Sequence, residues 1–499
     1  FAGSDPKTTS SGSFASNILV IYKMYDGSST ATDNETSVKV RIGDWFKLSQ
    51  DTIEEYTVFD FNVPHFRVTN TDTSTKYAYV QTAIDNATSG NTIVLEAGIY
   101  RENIIIDTQL SLRGSSVEQP IVWDGVHTNK GSIFTVDNSD GLGAPPVANS
   151  SRAGITVNAN DVSITDLIIA NFTHGLYVED STKLDINGLI IVGTQASGIS
   201  IMTQPDAIFP DHAVVVRDSI IYGRDYKPIT GIDIGETHDY DIEIQNVEVH
   251  WCYKGISISG DDVTLSNVVL NGNQNDGISI SSHASEIEVS DSEIYNNNGN
   301  GIEVSGLTSG TNKFYGNIIY DNGGTEFQAT SSHNLEIYQN TIYDAQFGYG
   351  IRLTDGSNNA IYDNTLHTSI WLNNADYTSI YDNNFVNITG GSATYDESAL
   401  IIASSNNTIS DNTIENVGIA FAFLPINDPN YNLVENNTLQ LSSLQKSIEY
   451  YTSGKNNTFI NTDITYVDCG ACTNTYFEIL QYVDIEMNTV LGSANNVEL

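Results

Sequence analysis

A six-residue phrase returns about every two dozen residues through the second half of this chain, and it limits the fold more than any other feature. It reads Ile337-Tyr338-Gln339-Asn340-Thr341-Ile342, then Ile361-Tyr362-Asp363-Asn364-Thr365-Leu366, then Ile380-Tyr381-Asp382-Asn383-Asn384-Phe385. Further copies start at Ile409 and Val434, and weaker ones run upstream from Phe314, Val289, Leu265, Ile244, Val216, Leu184 and Ile164. The starts are on average roughly 24 residues apart, a period that belongs to a stacked-repeat architecture and not to a conventional globular core. Each unit holds a second piece, as in Gly255-Ile256-Ser257-Ile258, Gly277-Ile278-Ser279-Ile280 and Gly301-Ile302-Glu303-Val304. Both pieces alternate apolar and polar residues, so each reads as a short strand with one face inward. Asn, Asp and Gly between them supply the left-handed turn conformations that β-branched residues resist.

No helical periodicity separates the repeats, which argues against βαβ units. The pattern predicts an all-β coil of short stacked strands, a parallel β-helix. The Asn or Ser at the fourth place of each phrase is expected to stack into side-chain ladders. At about 4.8 Å per rung, some sixteen rungs give a rod on the order of 75 Å long. Isolated rungs bury no core, so stability must come from stacking and capped ends.

The coil has a distinct beginning. Tyr79 to Ala87 reads as one short amphipathic helix, followed by Gly90 to Leu95 and Ala97-Gly98-Ile99-Tyr100-Arg101-Glu102-Asn103-Ile104. This passage resembles the opening of right-handed β-helix proteins of the pectate-lyase-like superfamily. The resemblance implies that the helix plugs the N-terminal end of the coil. With the repeats it covers residues 76–465, leaving a strand-rich extension at 1–75 and a tail at 466–499 that cap the coil or add to a neighbouring copy. The superfamily includes lyases, hydrolases, esterases, epimerases, phage tailspikes and non-catalytic surface proteins, so the resemblance speaks to fold and little to function.

Charge excludes some partners. With 62 acidic and 20 basic residues the net charge is −42, which removes the basic footprint that nucleic acid or an anionic membrane surface requires. No apolar run is long enough to span a bilayer. A basic-apolar leader is missing before Phe1, which fits either an arbitrary boundary or a mature exported chain. Eight Asn-x-Ser/Thr sequons, at Asn34, Asn86, Asn149, Asn171, Asn387, Asn406, Asn436 and Asn456, point to export and glycosylation. Cys469 and Cys472 are expected to close a local disulfide, because neither a second CxxC nor an adjacent His accompanies them as zinc would require. Cys252 reads as a buried apolar residue.

Catalytic signatures are sparse. Elimination of a uronate needs a base and a cation, and Arg217, Arg224 and Lys227 are the nearest approach to a basic cluster. Hydrolysis needs paired carboxylates. Gly260-Asp261-Asp262 is similar to the polygalacturonase GDD phrase, and Asp233 lies on an earlier rung. That family's Gly-His-Gly is Asn275-Asp276-Gly277 here, and its Arg-Ile-Lys is absent, so the likeness stops there. An epimerase-like set would draw on His238, Asp239, Tyr240, Asp241 and His250. Calcium is a candidate cofactor, with Asp239, Asp241, Asp261 and Asp262 the carboxylates that rung spacing brings nearest. Tyr320, Tyr338, Tyr343, Tyr362 and Tyr381 are expected to form one outward stripe for stacking sugars or a neighbouring subunit. The primary reading is an extracellular structural protein, a self-assembling subunit of a cell-surface layer, sheath or filament, with copies of itself and cell-surface glycans as partners. The alternatives are an enzyme acting on acidic glycans through Asp233, Asp261 and Asp262, and a carbohydrate-binding adhesin.

Overall fold

In the computed structural model, placement is described for residues 67–115, 119–123, 153–179, 181, 183–202, 213–223, 229–235, 241–345, 348–388, 397–427, 429–451, 455–469 and 475–481, with the backbone of four further short strands. Each rung contributes three strands, illustrated by Val263–Ser266, Val269–Asn271 and Ile278–Ile280. Each pairs in parallel with its counterpart one repeat later. Three long parallel sheets result, here called first, second and third in the order the chain visits them; the second and third hold 14 and 15 strands. The molecule is a parallel β-helix.

Register keeps every rung in step. In the first sheet Phe314, Ile337, Ile361, Ile380, Ile409, Val434 and Phe459 form one inward column. All of them are fully buried. Similar columns from the other two sheets join them in one continuous core. A strand has period two, so a slip of one residue would turn a whole column to solvent.

The corners explain the repeated polar letters. The third residue of each phrase has positive φ, as in Asp291 (50°), Asp363 (55°), Asp382 (55°) and Asn436 (56°), a region where Asn, Asp and Gly are at home. The fourth residue then points inward as a buried amide. Asn317, Asn340, Asn364, Asn383, Asn412 and Asn437 stand one above another, each donating its Nδ2 to the Oδ1 of the next at 2.9–3.0 Å. Each Oδ1 also accepts the backbone N–H of the Asn below, as in Asn364 N to Asn383 Oδ1 at 3.0 Å. The expected ladder is present, and Ser219 and Ser292 continue it upstream by accepting backbone N–H groups of Leu189 and Val268. Two further ladders occupy the other corners: Asn273, Asn297 and Asn322, and Asn407, Asn432 and Asn457.

From Ala153–Val157 to Ile351–Thr354, the glycine at the start of the third-sheet strands has a packing cause. A Cβ on Gly277 would lie 2.6 Å from Ile294 Cγ2 and 2.7 Å from the Gly301 carbonyl oxygen, closer than either could yield. One rung breaks the rule. Glu326 sits in register with this glycine column, between Gly301 and Gly350. Its carboxylate accepts both the backbone N–H and the Nδ2 of Asn322. The next rung offers Ala345 where the ladder would continue, so Glu326 supplies the acceptor that an asparagine supplies elsewhere.

At the N-terminal end the plug helix spans Val80–Asp85, and its buried Val80, Ala83 and Ile84 close the core. Glu102 holds it from the first rung, accepting the N–H groups of Val80 and Gln81 at 2.9 Å each. Strand Val68–Asn70 lies antiparallel to Thr75–Tyr77 and to the first-sheet strand Asn91–Leu95. At the other end Tyr476–Leu480 pairs in parallel with Lys455–Ile460, adding to its own coil. Strand pairing therefore extends past residues 76–465 on both sides. Leu19–Tyr22 and Lys39–Ile42 form an antiparallel pair, and Thr57–Val58 pairs with Thr135–Val136.

Two expectations follow for stability. Asn364 makes hydrogen bonds to the rungs on either side and to two carbonyls, so Asn364→Ala should lose about 2–4 kcal/mol by denaturant unfolding. The exposed Asn416→Ala should lose well under half of that. Burial pushes Glu326 up to about 8 despite its two bonds from Asn322. The folded state thus keeps a proton that the unfolded chain releases near the ordinary glutamate value. The associated stability is full below that value and is lost as pH rises through about 8. Glu326→Gln should flatten thermal midpoint against pH across this window.

Candidate functional site

The outer face of the third sheet gathers the polar groups that the inward columns exclude. One outward file runs in register through Tyr177, Ser200, Asp233, Ser257, Ser279, Glu303, Gln328, Arg352 and Trp371. A neighbouring file runs through His174, Ser197, Thr230 and Lys254. Strand alternation forces the first of these files outward once Ile232, Ile256, Ile278 and Ile302 are fixed in the core.

Two charge groups lie on this face. The first joins Asp233, His174 and Lys254. Burial raises the Asp233 carboxyl, opposed by His174, by a hydrogen bond from Ser257 and by Lys254. Burial lowers the His174 imidazole, with Asp233 acting the other way; its Nδ1 lies 2.6 Å from Ser197 Oγ. Lys254 Nζ donates to Ser279 Oγ at 2.9 Å. The second group joins Asp276 and Glu303. Asp276 is 7% exposed and accepts the Asn300 N–H at 2.9 Å and Asn275 Nδ2 at 3.1 Å. Glu303 accepts Asn300 Nδ2 at 2.6 Å. Burial, reinforced by the Asp276 charge, pushes Glu303 up to about 7, with Ser305, Asn300 and Arg352 acting against the rise. A carboxyl titrating near neutrality on a polar face can give or take a proton at working pH.

The sequence-based carboxylates do not come together as one set. Asp233 belongs to the third-sheet face. Asp261 and Asp262 stand at the corner before the first sheet, and Asp261 accepts Ser285 Oγ–H at 2.8 Å. Asp262 is pushed up to about 7, by burial first and then by Glu286, Asp241 and Asp261. It borders a cleft of about 520 Å³ lined by Asp241, Glu243, Glu286, Glu288 and Lys313. Among the described residues no group of three or more His, Cys, Asp or Glu is arranged to hold a metal ion; Asp239 lies outside them. The epimerase-like set is also divided. His250 is on the second sheet, with Nδ1 at 3.0 Å from Asn271 Oδ1 and Nε2 at 3.0 Å from Glu248, while Asp241 is on the first sheet and His238 and Tyr240 are not among the described residues. Arg217 is held by Asp185 in a two-pronged pair at 3.1 and 2.9 Å; Arg224 and Lys227 lie outside the described residues.

The expected tyrosine stripe is two stacks. Tyr315, Tyr338, Tyr362 and Tyr381 stack on the first sheet at 4.8–4.9 Å between centroids. Tyr295, Tyr320 and Tyr343 stack on the second at 4.7–5.0 Å. Tyr338 and Tyr343, like Tyr315 and Tyr320, fall on either side of one corner, which is why a single stripe cannot form. Interior rings in each stack spend both faces on neighbouring rings, so they offer edges and hydroxyls to solvent and no sugar-stacking platform.

Sequon asparagines sit at turns. Asn171, Asn387, Asn406, Asn436 and Asn456 all have positive φ, and Asn387, Asn436 and Asn456 are exposed. Asn86 donates its Nδ2 to Thr82 O at 2.8 Å; Asn34 and Asn149 lie outside the described residues. Cys469 is disulfide-bonded, and Cys472 lies outside the described residues. Cys252 is free and fully buried. The Asp276–Glu303 group was missed in the sequence, although Asp276 stands in the Asn275-Asp276-Gly277 segment that was set aside as a failed motif.

The family model for the right-handed β-helix region matches residues 230–385, the span that carries the third-sheet face from Asp233 to Trp371. The chain is a right-handed parallel β-helix repeat protein. A cell surface glycoprotein of Methanothermus fervidus is 29% identical over 133 residues, 26% of this β-helix protein and 18% of that relative's own length. Among solved structures, the Agl-KA catalytic domain is similar at 15% identity with a TM-score of 0.41, over 64% of this chain and 62% of that one. The periplasmic alginate epimerase AlgG is similar at 13% identity with a TM-score of 0.42, over 70% and 86%.

For the third-sheet face, Glu303→Gln should remove a proton-binding step near pH 7. Potentiometric difference titration of the folded variant against the parent should show one proton fewer taken up through that midpoint.

Proposed function

We propose that this β-helix protein is a cell-surface structural protein, a glycosylated rod that assembles with copies of itself. The observation that carries the reading is the pairing of a rod ordered by three corner ladders with local similarity to a cell surface glycoprotein. The Cys469 disulfide supports it, since such bonds persist outside a reducing cytosol. Exposed sequons at corners suit glycans that project without disturbing a rung. No helix of the described residues is long and apolar enough to cross a membrane. Self-association must overcome a net charge of −42, so divalent cations such as calcium would act as bridges between acidic flanks.

A second reading, turnover of an acidic polysaccharide, is favoured by one observation, the near-neutral Glu303 beside the buried Asp276. In it Glu303 would exchange the proton and Lys254 or Arg352 would offset the substrate carboxylate.

Electron microscopy of the full chain at micromolar concentration, with calcium and then with a chelator, tests the first reading. Filaments, tubes or sheets that dissolve on chelation are the expected result. Single rods under every condition would contradict assembly. Appearance of unsaturated or shortened products from uronate polymers, abolished in Glu303→Gln, would favour the second.

A further inference from the structure

The second sheet carries an apolar patch on its outer side. In the early rungs Val122, Ile169 and Ile191 are its inward residues and are fully buried. Alternation therefore turns Ile121, Trp123, Ile168, Ala170, Ile190 and Val192 outward. Ile121 and Trp123 are nonetheless only 3% exposed, and Ile168 and Ala170 only 2%. The same outward file shows what an uncovered position looks like. It runs on in register through Ile220, Glu248, Val269 and Glu293 to Ile318, which is 42% exposed. The partly buried neighbours of the patch, Ile99, Ile190 and Val192, lie in the same sheet and flank it without roofing it. Arg101 lies over the Trp123 ring at 5.3 Å from its centroid, which accounts for one residue. Outward isoleucines as buried as Ile121 and Ile168 require a cover from elsewhere in the chain.

The N-terminal extension has the matching shape. Leu19–Tyr22 and Lys39–Ile42 pair antiparallel, with Leu19 opposite Ile42 and Ile21 opposite Val40. Residues directly opposite one another share a face, so the register gives this pair one apolar face. A lone two-stranded ribbon is marginal in water and gains stability by packing that face on another surface. Strands of four residues are about 13 Å long, and the four rungs from Ile99 to Ile190 span about 14 Å. The extension is also tied to this neighbourhood. Thr57–Val58 pairs in parallel with Thr135–Val136, which the chain reaches soon after leaving the patch at Trp123. Val68–Asn70 then joins Asn91–Leu95 at the N-terminal end of the coil, the end that holds the patch.

We propose that the outer face of the second sheet between Ile99 and Val192 is the docking seat of this chain's own residues 1–66, with the apolar face of the Leu19–Tyr22 and Lys39–Ile42 pair laid over Ile121, Trp123 and Ile168. The seat does not depend on the assembly reading. It makes the extension a second layer on the first rungs of the rod, in place of a free arm offered to a neighbour.

Photo-crosslinking in the full chain tests this at the rim of the patch, with benzoylphenylalanine replacing the partly buried Ile190. The expected product has monomer mass and joins position 190 to a peptide within residues 1–66. A product joined only to residues 124–152, a product of dimer mass, or no product would each overturn the seat. Trypsin supplies a second reading at Lys39 and Arg41. Ile168→Asp should speed these cuts about tenfold or more as the undocked fraction rises. Ile318→Asp, in the same file beyond the patch, should leave them unchanged. Equal cutting of the parent and Ile168→Asp, or equal acceleration by both variants, would also overturn the seat. If Ile168→Asp lowers the thermal midpoint of the coil, the cross-link alone decides.

Discussion

A buried amide that hydrogen-bonds to the identical amide one rung away is the interaction on which this coil depends. Side chains such as Ile337, Ile361 and Ile380 make burial favourable, but apolar contacts are non-directional and would tolerate sliding. The Asn340–Asn364–Asn383–Asn412 ladder does not. Each amide satisfies a corner N–H and a carbonyl that would otherwise be buried without a partner, so a misplaced rung costs hydrogen bonds on both sides. Three such ladders, one at each corner, convert a soft stack of strands into a rod with a defined register.

That register decides what the outer surface can do. Because the inward columns are fixed, so are the outward files, and residues far apart in sequence meet at rung spacing. Asp233, Lys254, Asp276 and Glu303 come from four successive rungs and share a polar face only for this reason. The same geometry assigns the two tyrosines of one repeat, such as Tyr338 and Tyr343, to different sheets. Stacked ring on ring, they shield one another and extend the order of the core to the surface. Function on this scaffold is therefore a matter of which letters occupy the outward places.

Much of the fold was legible in the sequence because the physics repeats. The Ile-x-x-Asn spacing, the Gly-Ile pieces and the Asp or Asn before each ladder residue all report one corner geometry many times over, so the coil and its first ladder could be read directly. The candidate site was much less legible. Asp261 and Asp262 attracted notice as a motif, yet the corner places them near Asp241 and Glu286 and apart from Asp233. Asp276 and Glu303 carry no motif, and their perturbation comes from burial that only the stacked rungs create. Glu326 could have been noticed as a charged letter in a glycine column, one rung before Ala345 leaves the ladder without its asparagine. The tyrosine stripe failed for a simpler reason, since alternation tells inside from outside but not which of two sheets an outward residue joins.

Amide hydrogen exchange followed by mass spectrometry tests the central claim most directly, because the ladder bonds engage the backbone N–H groups of Asn340, Asn364, Asn383 and Asn412 themselves. The account predicts that these corner amides exchange only with global unfolding, as slowly as the neighbouring core strands. It also predicts that Asn383→Ala releases protection at the corners of both adjoining rungs. Fast exchange at the corners of the parent protein, with the strands still protected, would mean that the sheets hold the rod and the ladders merely decorate it.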